Sequence, residues 1–210
     1  MIPRYLVYLF DIDGTLLDSA PDICAAQSDV LTIAGCAPVP FEQLRGYVGL
    51  ELRAVFRNLI PSCDDDMVRD LSEQYTLRYR ARRHAGTHIY PGAREALEKL
   101  EGRKSTATTK STEGTRLVLE HFDLLAYFDH IQGSDGLLYK PAPDVILASV
   151  KALGASPEDC LMIGDSPADM EAGRRAGVST CAVRYGYGDP EKLAALKPDY
   201  WVSDLRELAP

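Results

Sequence analysis

Two aspartates follow the first apolar segment of the chain. Residues 5–10 (YLVYLF) are continuously apolar, and Asp11 and Asp13 come directly after them. Side chains two positions apart on an extended chain point in the same direction. Two carboxylates held together raise the pKa of one of them unless a cation compensates, and hard oxygen ligands favour Mg²⁺. The pair therefore predicts a magnesium site, and Gly14 allows the sharp turn that leaves it.

A second pair of acids follows another apolar segment. Asp165 and Asp169 come after residues 161–163 (LMI). Taken alone, Asp165 is also explained as the cap of the following helix. The carboxyl ends of parallel strands meet at the edge of an open α/β sheet where ligands bind. We therefore expect these acids to join Asp11 and Asp13 around one cation.

Strands and helices alternate along most of the chain. A continuous apolar run such as residues 5–10 is typical of a strand that is buried on both faces of a parallel sheet. Further strands are predicted at 104–109, 130–132, 161–164, 179–183 and 200–202, and helices at 112–121, 143–153, 167–176 and from Pro91 onwards. The pattern predicts an α/β fold.

Residues 19–84 interrupt this alternation with helical patterns and no convincing strand. Ser19 with Asp22 three residues later resembles a capping box, and Pro21 suits a first helical turn. Helices are predicted at 20–34, at 51–59 and from Asp64 onwards. The sequence therefore predicts one α/β domain that is split by an all-helical insert.

Four segments of the chain resemble the motifs of the haloacid dehalogenase superfamily of hydrolases. Residues 11–15 (DIDGT) resemble the first motif and residues 164–169 (GDSPAD) the fourth. Thr108 matches the second motif, and Lys140, which opens the run KPAPD, matches the third. All four motifs occur in order, so the resemblance covers essentially the whole chain.

The resemblance implies a fold and a division into domains. Residues 1–17 and 85–210 would form a Rossmann-like three-layer α/β core with a parallel sheet. Residues 18–84 would form an inserted all-helical cap domain. The chain departs from the pattern at Thr109, where close relatives usually carry Asn, although Thr109 still offers its backbone N–H to a phosphate.

The resemblance also implies a role for each matching residue. Asp11 is expected to attack phosphorus and form an aspartyl-phosphate, which splits hydrolysis into two steps. Asp13 is expected to protonate the leaving oxygen and later to deprotonate the attacking water. Thr108 and Lys140 are expected to hold the non-bridging oxygens of the phosphoryl group.

A Mg²⁺ ion and the phosphate would share this site. The resemblance implies metal ligands from Asp11, Asp165 and the backbone carbonyl of Asp13, with Asp169 close by or in the outer shell. The metal would neutralise charge and orient the phosphoryl group. Gly14 is a further candidate for contact with the phosphate, together with the Thr109 backbone.

The acid at Asp13 separates phosphatases from dehalogenases, which have no use for a leaving-group acid. Phosphonate-cleaving members need a cap lysine, and residues 19–84 contain none. The resemblance is strongest to phosphoglycolate phosphatase-like enzymes, through residues 18–22 (DSAPD) and 185–188 (YGYG). We therefore expect a phosphoric monoester hydrolase, with 2-phosphoglycolate as the first substrate to consider.

Other functions fit the same motifs. β-Phosphoglucomutase-like phosphoryl-transfer enzymes share the core motifs, and pyrophosphatases, nucleotidases and sugar phosphatases share the two diagnostic segments. The intact acids argue against a non-catalytic binding protein on the same scaffold.

Arg45 and Arg53 lie in a segment expected to face the core, where each either contacts a substrate anion or is a solvated helix arginine.

Charge and composition restrict the partners. The chain has 210 residues, a net charge of -8 and no block of five basic residues, so general affinity for nucleic acid or an anionic membrane is not expected. Five scattered cysteines favour small buried thiols in a reducing compartment. The apolar run at 5–10 is too short for a signal segment or a membrane span. We expect a cytoplasmic monomer or homodimer that binds a small phosphorylated metabolite.

Overall fold

Five parallel strands form the main sheet of the structure, which is a computed structural model that describes residues 2–209. The strands of the chain are β1 (Val7–Phe10), β2 (Leu17–Asp18), β3 (His88–Ile89), β4 (Arg103–Thr106), β5 (Cys160–Gly164), β6 (Ser179–Val183) and β7 (Tyr200–Val202). The main sheet has the order β4-β1-β5-β6-β7, and each neighbouring pair is parallel. The prediction of an α/β fold with a parallel sheet is confirmed.

β1 is an interior strand because it pairs with β4 on one side and with β5 on the other. Its four residues are all buried. Tyr8 and Phe10 belong to the apolar cluster on one face of the sheet, whereas Val7 and Leu9 belong to a second cluster on the other face. The continuous apolar run therefore reflects burial on both faces.

Helices cover both faces of this sheet and complete three layers. α5 (Ala93–Lys99) and α6 (Thr112–His121) contribute to the cluster that contains Phe10. α7 (Asp144–Ala152) and α8 (Pro167–Ala176) contribute to the cluster that contains Leu9. A further helix, α9 (Pro190–Ala195), precedes β7. Within residues 2–209, none of the helices has both the length and the apolar composition needed to span a bilayer.

Residues 19–88 form a compact unit of their own, separate from the unit formed by the chain up to residue 18 and from residue 89 onwards. This helical unit consists of α1 (Ala20–Ile33), α2 (Phe41–Arg45), α3 (Leu52–Leu59) and α4 (Asp65–Ala81). The Asp64 carboxylate caps α4 because it accepts a hydrogen bond from the Met67 N–H at 2.9 Å. The rest of the chain, with the main sheet, is called the core unit below.

Asp22 joins the beginning and the end of the helical unit. Its buried carboxylate accepts hydrogen bonds from the Gly86 N–H at 2.9 Å and from the Thr87 hydroxyl at 2.8 Å. It also pairs with Arg82 Nε at 3.1 Å. The capping box predicted for Ser19 and Asp22 is therefore wrong, because donors 60 to 65 positions along the chain engage this carboxylate instead.

Two strand predictions differ from the structure. β4 ends at Thr106 and not at residue 109, and residues 130–132, all of which are described, form an isolated bridge to Ser105 in place of a strand. The Thr106 hydroxyl donates to the Gln132 carbonyl at 2.9 Å and accepts from the Gln132 N–H at 2.7 Å. The Thr106 side chain therefore makes the hydrogen bonds to the Gln132 main chain that a neighbouring strand would otherwise make with its own main chain.

Candidate active site

Asp11 and Asp13 lie at the carboxyl end of β1, and both are buried. The Asp11 N–H donates to the Ile163 carbonyl at 2.9 Å, so the chain stays beside β5 for one residue past the strand. Asp13 then forms an isolated bridge with Leu17. Gly14 has a φ of +91°, a left-handed conformation that strongly favours glycine. The tight turn expected after the first acid pair is thus built on Gly14.

Asp165 and Asp169 reach the same place from β5. Asp165 directly follows Gly164, and Asp169 lies in the first turn of α8. Ser166 and Asp169 form a capping box, in which the Ser166 N–H donates to Asp169 Oδ2 at 2.9 Å. Carboxylate oxygens of Asp11, Asp165 and Asp169 all lie within 4.8 Å of one another. The fold therefore brings together three of the four acids singled out in the sequence.

Lys140 lies among these carboxylates. Its Nζ is 3.0 Å from Asp11 Oδ1 and 2.5 Å from Asp169 Oδ1, and it donates to the Ala107 carbonyl at 2.9 Å. Burial lowers the pKa of the Lys140 ammonium, but the Asp11 and Asp169 carboxylates outweigh burial and raise the pKa overall. The ammonium is therefore charged at neutral pH, and it offsets part of the charge of the three acids.

Burial, together with the remaining negative charge, raises the pKa of two of the acids. Burial is the main reason that the pKa of Asp11 is raised to about 6, with Lys140 opposing and Asp169 and Asp13 adding to the rise. Burial, followed by the charges of Asp169 and Asp11, raises the pKa of Asp165 to about 8. A divalent cation would offset this excess charge, and a cluster of hard carboxylate oxygens suits Mg²⁺. The residues present therefore fit the metal that the sequence predicts.

The segment after β4 carries the residues expected to bind phosphate. Thr108 is fully buried, and its hydroxyl oxygen accepts a hydrogen bond from the Lys110 N–H at 3.3 Å. The Thr109 carbonyl accepts from the Ser134 hydroxyl at 2.7 Å. Because β4 ends at Thr106, Thr108 lies in a turn that follows the strand by one residue. The expected contacts of Thr108 and Thr109 with phosphate stay predictions.

Lys110 is a residue of the site that sequence reasoning did not single out. Its Nζ lies 3.0 Å from Asp13 Oδ2, and the side chain is only 13% exposed. The Asp13 carboxylate thus points to a lysine, apart from the three-acid cluster. The sequence did contain a signal for it, because Lys110 follows Thr108 by two positions and residues of one short loop at the end of β4 lie near the same site.

Arg45 and Arg53 belong to the helical unit, and both form ion pairs within it. Arg45 Nε lies 3.1 Å from Glu42 Oε2, and Arg53 Nη1 lies 2.9 Å from Asp65 Oδ1. The side chains are 43% and 48% exposed. These surface pairs are what solvated helix arginines form, and contact of either arginine with a substrate anion stays a prediction.

Comparison with known proteins assigns the chain to a class of hydrolases. A family model described as haloacid dehalogenase-like hydrolase matches residues 8–183. The chain belongs to this family. The prediction of the family is therefore confirmed.

Relatives within the family carry names that refine this class. A phosphoglycolate phosphatase from Nitrosospira multiformis is 34% identical over 208 residues, which cover 95% of this chain and 92% of the relative. Phosphoglycolate phosphatase 1 from Pseudomonas aeruginosa is 34% identical over 218 residues, covering 100% of this chain and 79% of the relative. These similarities bear out the prediction of a phosphatase enzyme.

Solved structures agree with the assignment. The crystal structure of a predicted phosphatase from Clostridium acetobutylicum matches with a TM-score of 0.90 and 30% identity. The match covers 99% of this chain and 97% of that chain. The α/β core and the helical insert are therefore both features of the family.

Proposed function

We propose that the protein is a Mg²⁺-dependent phosphomonoester hydrolase that acts on a small phosphorylated metabolite through an aspartyl-phosphate on Asp11. The observation that carries the proposal is the cluster of Asp11, Asp165 and Asp169, whose oxygens lie within 4.8 Å of one another around the Lys140 ammonium. Burying several like charges together costs free energy, and such clusters occur mainly at functional sites. Here the cluster includes the proposed nucleophile, Asp11.

Asp11 and Asp13 divide the chemical steps. An Asp11 carboxylate oxygen forms a bond to phosphorus while the bond from phosphorus to the ester oxygen breaks. Asp13 gives its proton to the leaving oxygen and then takes a proton from water, whose oxygen attacks phosphorus and releases Asp11. The 3.0 Å contact with Lys110 holds the Asp13 carboxylate at its place between these steps.

Lys140 and Thr108 would hold the non-bridging oxygens of the phosphoryl group during both steps, and the Thr109 N–H would donate to the same group. The Lys140 ammonium contacts Asp11 directly and therefore lies next to the oxygen that attacks. Asp11 and Asp165 would hold the Mg²⁺ ion with the Asp13 carbonyl, and Asp169 would orient Lys140. When bound, the metal supplies neutralisation of the negative charge that builds up on the phosphoryl oxygens.

We take 2-phosphoglycolate as the best candidate substrate because relatives with this activity in their names match nearly the whole chain. In this proposal the helical unit is the cap domain, and Arg45 and Arg53 are candidates to meet the substrate carboxylate. Other phosphorylated metabolites of similar size, including sugar phosphates, nucleotides and pyrophosphate, are the competing substrates. A cytoplasmic location and a monomeric or homodimeric state stay predictions.

The test is a phosphate-release screen over a panel of phosphorylated metabolites, with the Asp11→Asn variant as its control. We expect turnover that requires Mg²⁺, stops with EDTA and is lost in the variant while its thermal unfolding stays cooperative. A phosphoryl-transfer mutase would instead convert a sugar phosphate into its isomer without stoichiometric phosphate release. Turnover by Asp11→Asn close to that of the unmodified protein would contradict the covalent route.

A further inference from the structure

The segment 185–188 (YGYG), which follows β6, wraps around Asp165. The Tyr187 N–H donates to Asp165 Oδ2 at 2.7 Å. A Cβ atom added at Gly186 would overlap the Asp165 side chain, and one added at Gly188 would overlap the Asp165 carbonyl. The main chain of this segment is therefore pressed against the carboxylate that the proposed function assigns to the metal.

The same segment also holds the chain that leaves the first acid pair. The Tyr185 hydroxyl donates to the Thr15 carbonyl at 2.7 Å, and the Tyr187 hydroxyl donates to Asp18 Oδ1 at 2.8 Å. The Thr15 hydroxyl in turn donates to Asp165 Oδ1 at 3.2 Å. Each Asp165 oxygen thus receives a donor from one of two segments, and the two tyrosine hydroxyls tie those segments to each other.

Tyr187 makes the most direct of these links. Its backbone contacts Asp165, and its hydroxyl contacts Asp18, which is the last residue of the core unit before the helical unit begins. A tyrosine side chain has two rotatable bonds and a rigid ring. With the backbone N–H bonded to Asp165 and the hydroxyl bonded to Asp18, a movement of one aspartate is expected to move the other. A change in the order of Asp165 therefore reaches Asp18 through one residue.

We propose that Tyr187 is a positioning residue that couples cation binding at Asp165 to the ordering of residues 16–18, beyond the direct contact of Thr15 with Asp165. The proposal rests on the metal site of the proposed function and goes beyond it. Binding of Mg²⁺ restricts the Asp165 carboxylate. The two hydrogen bonds of Tyr187 then restrict Asp18, and the segment that leads into the helical unit becomes less mobile. Removal of the hydroxyl breaks this coupling and leaves the N–H at Asp165 in place.

Hydrogen–deuterium exchange of the full chain, with and without Mg²⁺, tests the coupling. In the unmodified protein we expect Mg²⁺ to slow exchange both in peptides that contain Asp165 and in overlapping peptides that resolve residues 16–18 from Thr15. In Tyr187→Phe we expect the first effect to remain and the second to fall by roughly 10- to 100-fold, the order expected for the loss of a hydrogen bond to a charged acceptor.

Tyr127→Phe is the matched control. The Tyr127 hydroxyl donates to the exposed Glu98 carboxylate at 2.7 Å, so this variant removes the same kind of bond away from the site. Both Mg²⁺ effects should remain in it. A double-mutant cycle tests whether the two residues act together. Asp18→Ala should reproduce the exchange pattern of Tyr187→Phe, and the double variant should show the same exchange rates as either single variant.

The outcomes separate this proposal from the proposed function. If Tyr187→Phe shows full Mg²⁺-dependent protection of residues 16–18, or if the unmodified protein shows no protection of these residues while Asp165 is protected, the coupling is wrong and the metal site stands. If Mg²⁺ has no effect at Asp165 in the unmodified protein, the metal site itself is wrong and the coupling is wrong with it.

Discussion

Lys140 offsets part of the repulsion between carboxylates that the fold brings together. Its ammonium is 3.0 Å from Asp11 and 2.5 Å from Asp169, and its side chain is only 3% exposed. Removal of one partner from a buried ion pair leaves an uncompensated charge and costs about 3–5 kcal/mol. In this site two carboxylates would lose the same cation, so we expect Lys140 to contribute to the stability of the protein in addition to its proposed role in the reaction.

Replacement of Lys140 by Met should therefore lower both activity and stability. In the presence of EDTA we expect Tm to fall by about 10 °C, since each kcal/mol corresponds to about 2–4 °C for a chain of this size. Differential scanning fluorimetry measures the shift. Lys151→Met changes an exposed lysine on α7 and should leave Tm nearly unchanged. Equal Tm values for the two variants would show that Lys140 does not compensate the acids.

Replacement of Asp165 by Asn should separate metal binding from stability. Burial raises the pKa of Asp165 to about 8, so without metal its carboxyl is largely protonated at pH 7, and the neutral amide should leave the stability of the metal-free protein nearly unchanged. At the same time the rise in Tm that Mg²⁺ produces should be lost, because a ligand is lost. Paired thermal scans with Mg²⁺ and with EDTA measure both effects, and Glu120→Gln, at an exposed position, is the control. A normal Mg²⁺ response in Asp165→Asn would contradict its role as a ligand.

The buried cysteines should react slowly in the folded protein. Burial raises the pKa of Cys160 to about 11 and that of Cys181 to about 12. Since the thiolate is the reactive form, alkylation at pH 8 should be roughly 10²-fold slower for Cys160 and roughly 10³-fold slower for Cys181 than for an ordinary thiol, and both rates should rise as pH approaches these values. Cys36, which is partly exposed, should be labelled first.

Mass spectrometry of an iodoacetamide time course measures these rates at each cysteine. In denaturant the differences should disappear, because all five thiols are then exposed. Labelling of Cys181 as fast as that of Cys36 in the folded protein would contradict the prediction.

Short turns decide the parts of the site that the sequence does not reveal. Asp11, Asp165 and Asp169 could be predicted to converge, because each follows or flanks the end of a parallel strand. The contact between Lys110 and Asp13 could not, because it depends on how the chain turns after Thr106. Local patterns specify which strand ends at the sheet edge, but the direction of a side chain in the following turn depends on tertiary contacts such as the one between Ser134 and Thr109.

Replacement of Lys110 by Met should impair the acid role of Asp13. The effect should depend on the leaving group: roughly 10- to 100-fold lower kcat for an alkyl phosphate, and a much smaller loss for 4-nitrophenyl phosphate, whose leaving group needs little protonation. Phosphate release from both esters measures the difference. Lys110→Arg retains the charge and should recover much of the activity. An equal loss on both esters would assign Lys110 to binding of the phosphoryl group instead.

Helices and strands follow the sequence wherever local signals and tertiary contacts agree. α6, β6, α8 and β7 begin and end where the apolar pattern and the capping residues place them. α9 was not predicted, although Asp189 caps it and Pro190 occupies its first turn, which is a recognisable start signal. Ser19 and Asp22 show the opposite case, since a valid local signal yields to donors from residues 82–87.

Both units of the chain have buried apolar residues, but the ends of the helical unit are joined by polar contacts. The core unit has an apolar sheet with helices on both faces, whereas the ends of the helical unit meet at the polar contacts of Asp22. Local regions with fewer buried apolar contacts open at lower free energy. The helical unit should therefore depend strongly on this one carboxylate.

Replacement of Asp22 by Ala should destabilise the helical unit selectively. Three buried or half-buried donors lose their acceptor, at a cost of about 2–4 kcal/mol. Hydrogen exchange should accelerate in α1 and in residues 82–87 while β1 and β5 keep their protection. Asp29→Ala is the control, because Asp29 is 54% exposed and lies 3.9 Å from the same Arg82. Uniform acceleration throughout the chain would show that the two units unfold together.

The glycines around Asp165 have a consequence for directed evolution of this enzyme. Gly14, Gly186 and Gly188 leave no space for a Cβ atom beside this residue, so main chain lines one side of the acidic cluster. Substitution cannot remove main-chain atoms, and any side chain added at these glycines would displace Asp165. Libraries that seek new substrates should keep these three codons constant and place their diversity in the helical unit, where sequence changes leave the reacting groups untouched.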